Sequence, residues 1–203
     1  ENENGEAYTK VNHVPLSSSH LGIVAEVNEL SREISAGRVK LEEAEERLKK
    51  IEKIPPKKRW FQCMAAGLAS GTFALMLGSS VPEAVAAFFI GFLSYVWVLF
   101  AGKHNLSKII VNIVGGVIMT VLALAFMHIP FLPILKLDGM MVGAIMPMIP
   151  GVAFVNAIRD IADTDFLSGL VRMIDALLVF VYIAIGVGVT LSIYNTMMGG
   201  ILR

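Results

Sequence analysis

The segment GAIMPMIPGVAFVNAIRD, residues 143–160, constrains this chain more than any other part of it. It is apolar enough to lie in a bilayer, yet Pro147, Pro150 and Gly151 interrupt it near its middle, and Asn156, Arg159 and Asp160 follow. A proline has no backbone N–H and crowds the carbonyl four residues earlier, here those of Gly143 and Met146. Hydrocarbon cannot satisfy backbone groups freed in this way. Such an interruption persists only where it is buried in protein or lines a water-filled cavity. Two readings are open. One is a proline kink packed by neighbouring helices. The other is a discontinuous helix whose second half starts at Gly151, with free N–H groups and a positive dipole end that suit a carboxylate.

The rest of the sequence supports a membrane setting. Of 203 residues, 55% are hydrophobic, which is high for a soluble domain. Residues 1–59 hold 11 of the 17 Lys/Arg and 11 of the 17 Asp/Glu, so one polar segment precedes one apolar segment. A bilayer core of about 30 Å needs roughly 20 apolar residues in a helix. Five stretches meet that length, at approximately 60–80, 83–102, 108–130, 138–159 and 167–197. The expected fold is an all-α membrane protein with a broken fourth helix, preceded by a mainly helical cytoplasmic segment over residues 1–59.

Basic residues set the expected orientation. Lys53, Lys57, Lys58 and Arg59 precede the first span, Lys103 and Lys108 lie between the second and third, and Arg159 and Arg172 lie between the fourth and fifth. The alternate loops hold only Lys136. That bias places the amino terminus in the cytoplasm and the carboxyl terminus outside. With an odd number of spans, a similar second half would start on the opposite side, the arrangement of inverted repeats. Gly67-x-x-x-Gly71, Gly139-x-x-x-Gly143, Gly115–Gly116 and Gly186-x-Gly188 read as close helix contacts.

In the polar segment, Leu21, Val24, Val27, Leu30 and Ile34 recur at helical spacing, and Gly37 marks a stop. A second helix is expected from Lys40 to Lys53, acidic at its start and basic at its end. Ala7–Val14 reads as a strand. These elements are too few to close a core alone, so they pack on further protein. Their mixed charges argue against binding a lipid surface.

Enzyme signatures are missing: there is no phosphate loop, no H-E-x-x-H and no G-x-S-x-G. The single cysteine, Cys63, excludes an internal disulfide, and four scattered histidines make no metal site. No catalytic residue, cofactor or metal is therefore expected. A formal net charge of zero offers nothing to nucleic acid.

The chemistry concentrates at the inner ends of spans four and five, where Arg159, Asp160, Asp163, Asp165, Arg172 and Asp175 cluster. Arg172 and Asp175, three apart, share a helix face. Asp175 lies within a span, where charge is costly, and should face the interior, paired or protonated. Arg159 reads either as a snorkelling anchor or as part of an anion-attracting vestibule. Arg172 and Asp175 read either as a structural ion pair or as parts of the same vestibule. Asn112 and Asn156 could add hydrogen bonds, and Glu83 is expected to be solvated.

At this point GAIMPMIPGVAFVNAIRDIADTDFLSGLVRMIDALL resembles the signature of the threonine/serine exporter family (ThrE-like), in its amino-terminal half-domain. The EVNELSREISAGRVKLEEAEERLKKI stretch resembles the polar region preceding the spans in that family. The resemblance covers most of residues 8–195. The half-domain also occurs as a separate five-span subunit, related to the larger subunit of a bacterial succinate exporter. The resemblance implies a multi-pass protein of the bacterial inner membrane that exports a small carboxylate-bearing solute, driven by an ion gradient. It further implies a shorter membrane subunit as the second half, room for an oligomer, and a cytoplasmic segment incomplete at its start. Pro147, Pro150, Gly151, Asn156, Arg159 and Arg172 are the expected substrate-binding residues, and Asp160 and Asp175 the proton-coupling ones. Ser168 and Gly169 also match the family string. A non-transporting scaffold subunit and a gated channel are the alternatives. Threonine or serine and succinate all carry a carboxylate, so substrate identity, direction, coupling ion and stoichiometry stay open.

Overall fold

The computed structural model describes residues 21–55, 58–129 and 135–198, apart from the side chains of Leu21, Leu41 and Glu42. The expected strand at Ala7–Val14 lies outside them. The described residues form eight α-helices and no strand. Contacts divide the chain into two compact units, Glu1–Lys57 and Lys58–Arg203.

The first unit holds a helical hairpin, α1 (Leu21–Ser35) and α2 (Leu41–Ile51). Gly37 takes a left-handed φ of +67°, and the Gly37 and Arg38 N–H groups close the end of α1 on Ile34 and Glu33 carbonyls. Leu30, Ala44 and Ile51 form its small core, flanked by Ile23, Val39 and Ile54. Arg47 bridges the hairpin to Glu33 at 2.7 Å and also pairs with Glu43 at 2.9 Å.

The second unit contains α3 (Arg59–Met76), α4 (Val81–Lys103), α5 (Lys108–Met127), α6 (Leu137–Ile145), α7 (Gly151–Ala162) and α8 (Phe166–Met197). Three of these, α4, α5 and α8, are long and apolar enough to cross a membrane. A fourth crossing arises if α6 and α7 act as one bent span. The remaining expected span corresponds to α3, whose 18 residues include Arg59, Gln62, Ser70 and Thr72 and fall short in apolarity. It also ends earlier than residue 80, because Gly78 adopts φ +89° and Ser80 starts α4.

Small residues let these helices close up. A Cβ on Gly67 would stand 2.9 Å from the Phe88 carbonyl oxygen, so α3 and α4 meet backbone to backbone. Gly116 on α5 and Gly186 on α8 do the same: a Cβ on Gly116 would lie 2.6 Å from the Ile183 carbonyl oxygen. Around them Ile90, Met119, Met140 and Ala144 form a fully buried core shared by α4, α5 and α6.

Glu83 departs from expectation. It is buried, not solvated. With Ser80 it forms a capping box at the start of α4: its Oε2 accepts from the Ser80 N–H at 2.7 Å. Its Oε1 accepts from the Lys136 N–H at 3.0 Å, and Gly139 packs directly against the carboxylate. One acidic side chain thus ties the α3–α4 turn to the start of α6.

Candidate functional site

The interruption inside residues 137–162 has a defined geometry. After α6, Met146–Met148 form a single 3-10 turn, and Ile149 is extended (φ −68°, ψ 126°). The helical pieces on either side of the break, Leu137–Met148 and Gly151–Ala162, differ in direction by 61°. The carbonyls crowded by the prolines are not orphaned. The Gly143 oxygen accepts from the Met146 N–H, and the Met146 oxygen accepts from the Ile149 N–H at 3.2 Å. Tighter 3-10 bonding replaces the α-helical bonds that proline cannot make.

Helix α7 starts at Gly151, with Pro150 as its uncapped flanking residue. The Gly151 N–H is not free, because it donates to the Ile149 carbonyl at 2.8 Å. The N–H groups of Val152 and Ala153 come next, and neither has a partner among the described residues. A helix leaves such donors unsatisfied in its first turn. Gly151 is exposed, and a Cβ there would meet nothing within 4 Å, whereas Pro147 and Pro150 are half-buried. The break is most open at Gly151.

Beyond it, α7 packs on α8. Ala157 is buried at the contact, and Phe154 meets Phe180 edge to face with centroids 6.1 Å apart. Gly169 makes the tight return possible, since a Cβ there would stand 2.9 Å from the Ala157 carbonyl oxygen. Ser168 donates its backbone N–H to the Asp165 carboxylate at the start of α8. One outward stripe of α7 carries Val152, Asn156 and Arg159, and Asp163 continues it at the C-cap, all exposed and spaced at helical intervals. The Asn156 amide makes no hydrogen bond among the described residues.

The charged residues assemble in pairs. Arg172 Nη1 on α8 lies 2.8 Å from Asp160 Oδ2 on α7. That oxygen is shielded from solvent and receives no well-aligned N–H, so the contact is Coulombic attraction rather than a formed hydrogen bond. Arg159 lies 3.6 Å from Asp163 one turn away, in a solvent-exposed pair of small energetic weight. Asp175 pairs with Lys108 of α5, and Arg172 does not pair with it. The expectation of an interior Asp175 needs adjusting: its side chain is 45% exposed and is neutralised across the α5–α8 contact. Lys108 is a member of the cluster that sequence reasoning missed. Next to it, Asn112 is buried and donates to the Lys108 carbonyl at 2.7 Å, which stiffens the start of α5.

The cluster holds three ion pairs that include four of the expected residues, Arg159, Asp160, Arg172 and Asp175; two of them join helices, α5 to α8 and α7 to α8, and the third lies within the end of α7. Gly151 and Asn156 sit further along α7; the Gly151–Arg159 separation is roughly 12 Å along the helix axis. Pro147 and Pro150 shape the break.

Helices of membrane-crossing length and apolarity, with a bent and interrupted pair beside them, define a helical membrane protein. The family model ThrE, described as "Putative threonine/serine exporter", matches residues 1–194. The chain belongs to that family, which is a family of transporters and not of enzymes. No curated protein and no solved structure matches it.

Proposed function

We propose that this chain is one half of a secondary exporter that carries a small carboxylate-bearing solute, threonine or serine in preference to succinate, out of a bacterial cell across the inner membrane. In this reading α3 counts as a span because it packs lengthwise on α4, and α6 with α7 make one broken span, for five in all. Lys58, Arg59, Lys103, Lys108, Arg159 and Arg172 mark the cytoplasmic side.

The observation that carries the reading is the outward stripe of α7. An asparagine amide on an exposed face of an apolar helix is costly to turn towards lipid, and Arg159 stands at the inner end of the same face. They require either a protein partner or water. A shorter membrane subunit, forming the second half of the transporter, supplies the missing wall and encloses a path along α7. The unpaired Val152 and Ala153 N–H groups then receive the substrate carboxylate, Pro147, Pro150 and Gly151 hold them in place, and Asn156 adds a hydrogen bond.

Arg159 and Arg172 draw the anionic end of the solute from the cytoplasm. Asp160 and Asp175 are held by Arg172 and Lys108, so a proton arriving at either releases a cation for the solute. That exchange links export to a proton gradient. The test is export by the two-subunit complex carrying Arg172→Gln or Asp175→Asn. Export should fall at least about tenfold in each, the loss of a charge-assisted contact. Normal export with normal assembly in both variants would remove the vestibule.

A further inference from the structure

Met148 is the last residue of the 3-10 turn, and its side chain reaches across to α5. A Cβ on Gly115 would stand 2.5 Å from the Met148 Cε and 3.1 Å from its Sδ. The end of the thioether therefore fills the notch that Gly115, lacking a side chain, leaves in α5. Trp97 of α4 walls the notch, with Cδ1 3.8 Å from the same point. Its indole N–H donates to the Val111 carbonyl at 3.0 Å, which fixes the ring against α5 one turn before Gly115. Gly115 is buried, and Met148 packs against the core shared by α4, α5 and α6.

The position of this contact in the break gives it weight. On one side of the break α6 is held close: a Cβ on Gly143 would stand 2.5 Å from the Ser70 carbonyl oxygen of α3, and Met140 and Ala144 are fully buried. On the other side α7 is held to α8 at Ala157 and Gly169. The two pieces meet at 61° through residues 146–150, which are half-buried, and Gly151 beyond them stands in open space. Met148 ties that joint to α4 and α5, three residues before α7 starts.

We infer that Met148 is the positioning residue of the break, and that the notch over Gly115 is its seat. With the thioether seated, the start of α7 is fixed; with the thioether withdrawn, the joint is free to swing. The residue types suit a reversible seat. Methionine is unbranched with three rotatable bonds, so its end can enter and leave by bond rotation. A β-branched side chain is stiff and would have to carry the backbone with it. Gly115 leaves the seat empty of any side chain of its own. In a carrier that rocks about a fixed site, the Val152 and Ala153 N–H groups must turn from one aqueous side to the other, and the joint before them is where that turn is absorbed. The inference rests on the exporter reading for what the motion serves, but not for the seat.

The test reads the joint by the rate of thiol labelling at a single Gly151→Cys, in a Cys63→Ala background, on the full chain in lipid nanodiscs. A charged reagent and a lipid-soluble maleimide are both used, so the rate is obtained whichever medium the break meets. Threonine export by the two-subunit complex, with Gly151 retained, is measured in parallel. Met148→Ala empties the notch and Gly115→Ala fills it, so the two variants unseat the joint from opposite sides. The atoms that a methyl at 115 meets are the free end of a flexible side chain, so Gly115→Ala expels the thioether without forcing the helices apart. Each variant should speed labelling and slow export by about fourfold or more, the factor that one buried methyl contact is worth. Met148→Leu ends one atom sooner, and adding it to Gly115→Ala should bring both rates back most of the way. Unchanged labelling in both single variants, or no recovery in the double variant, would overturn the seat. Labelling that follows the seat while export does not change would overturn its part in transport. Labelling that follows the seat, with no export of threonine or serine by the unaltered complex, would instead sink the exporter reading and leave Met148 as the residue that positions the break.

Discussion

Arg172 Nη1 lies 2.8 Å from Asp160 Oδ2, and this contact joins the start of α8 to the end of α7. It is the only ion pair among the described residues linking the helix that follows the proline break to the long helix beside it. Removing the cation leaves a carboxylate oxygen shielded from water and uncompensated. Arg172→Leu should cost about 1–2 kcal/mol, between the values for exposed and buried pairs. Asp160→Asn should cost less, because an exposed guanidinium is easily rehydrated. Thermal unfolding of the two single variants and the double variant in detergent measures the coupling, and a coupling near zero would make the pair incidental.

A second prediction concerns Lys108. It reaches Asp175 across the α5–α8 contact, 67 residues away in sequence. Lys108→Met should weaken that contact by roughly 0.5–1 kcal/mol, since both side chains are about half exposed. Thermal unfolding of Lys108→Met, Asp175→Asn and the double variant in detergent measures the coupling, and a coupling near zero would show that the pair does not hold α5 to α8.

Glu83 offers a stability test far from the charged cluster. Its carboxylate serves the Ser80 and Lys136 N–H groups together. Glu83→Ala should cost about 1–3 kcal/mol by removing two hydrogen bonds to a charged acceptor and opening the space its buried side chain fills. Glu83→Gln, which keeps one acceptor oxygen, should cost less. Hydrogen exchange at the Lys136 amide should speed up in both. Unchanged exchange would show that the carboxylate does not hold the start of α6.

The crossing of α5 and α8 depends on Gly116 and Gly186. A Cβ at either meets backbone of the other helix, and backbone cannot rotate away. Gly186→Val should therefore destabilise by about 2 kcal/mol or more, against less than 1 for Gly188→Ala, where nothing lies within 4 Å. The comparison of the two melting temperatures is the measurement.

The bend between α6 and α7 was the most legible part of the sequence, because Pro147, Pro150 and Gly151 interrupt helical bonding in an apolar stretch, although the residues left a proline kink and a discontinuous helix equally open. The start of α8 near Phe166 was legible for a similar reason: Leu167, Leu170 and Ile174 continue its apolar pattern. Partner choice was not. Arg172 and Asp175 share a helix face by spacing, yet each found a tighter partner on another helix, a matter of packing that spacing along one helix cannot report. Lys108 looked like an ordinary loop cation for the same reason. Glu83 is different, since Ser80 and Glu83 stand three apart before an apolar run, which is a capping-box signature, while its burial comes from the Lys136 N–H and Gly139, 53 and 56 residues away. The Gly151 N–H was expected to be free, and local backbone bonding to Ile149 occupied it.

The central claim is that the interruption before α7 faces a solute path and not lipid. Cys63 is the only cysteine, so a Cys63→Ala background with a single Gly151→Cys gives one reporter at the exposed start of α7. In the assembled complex, a charged, membrane-impermeant thiol reagent applied to membrane vesicles should label that cysteine, and threonine should slow the labelling. Failure of the reagent to reach it from either side, while a lipid-soluble maleimide does, would place the break against lipid and contradict the account.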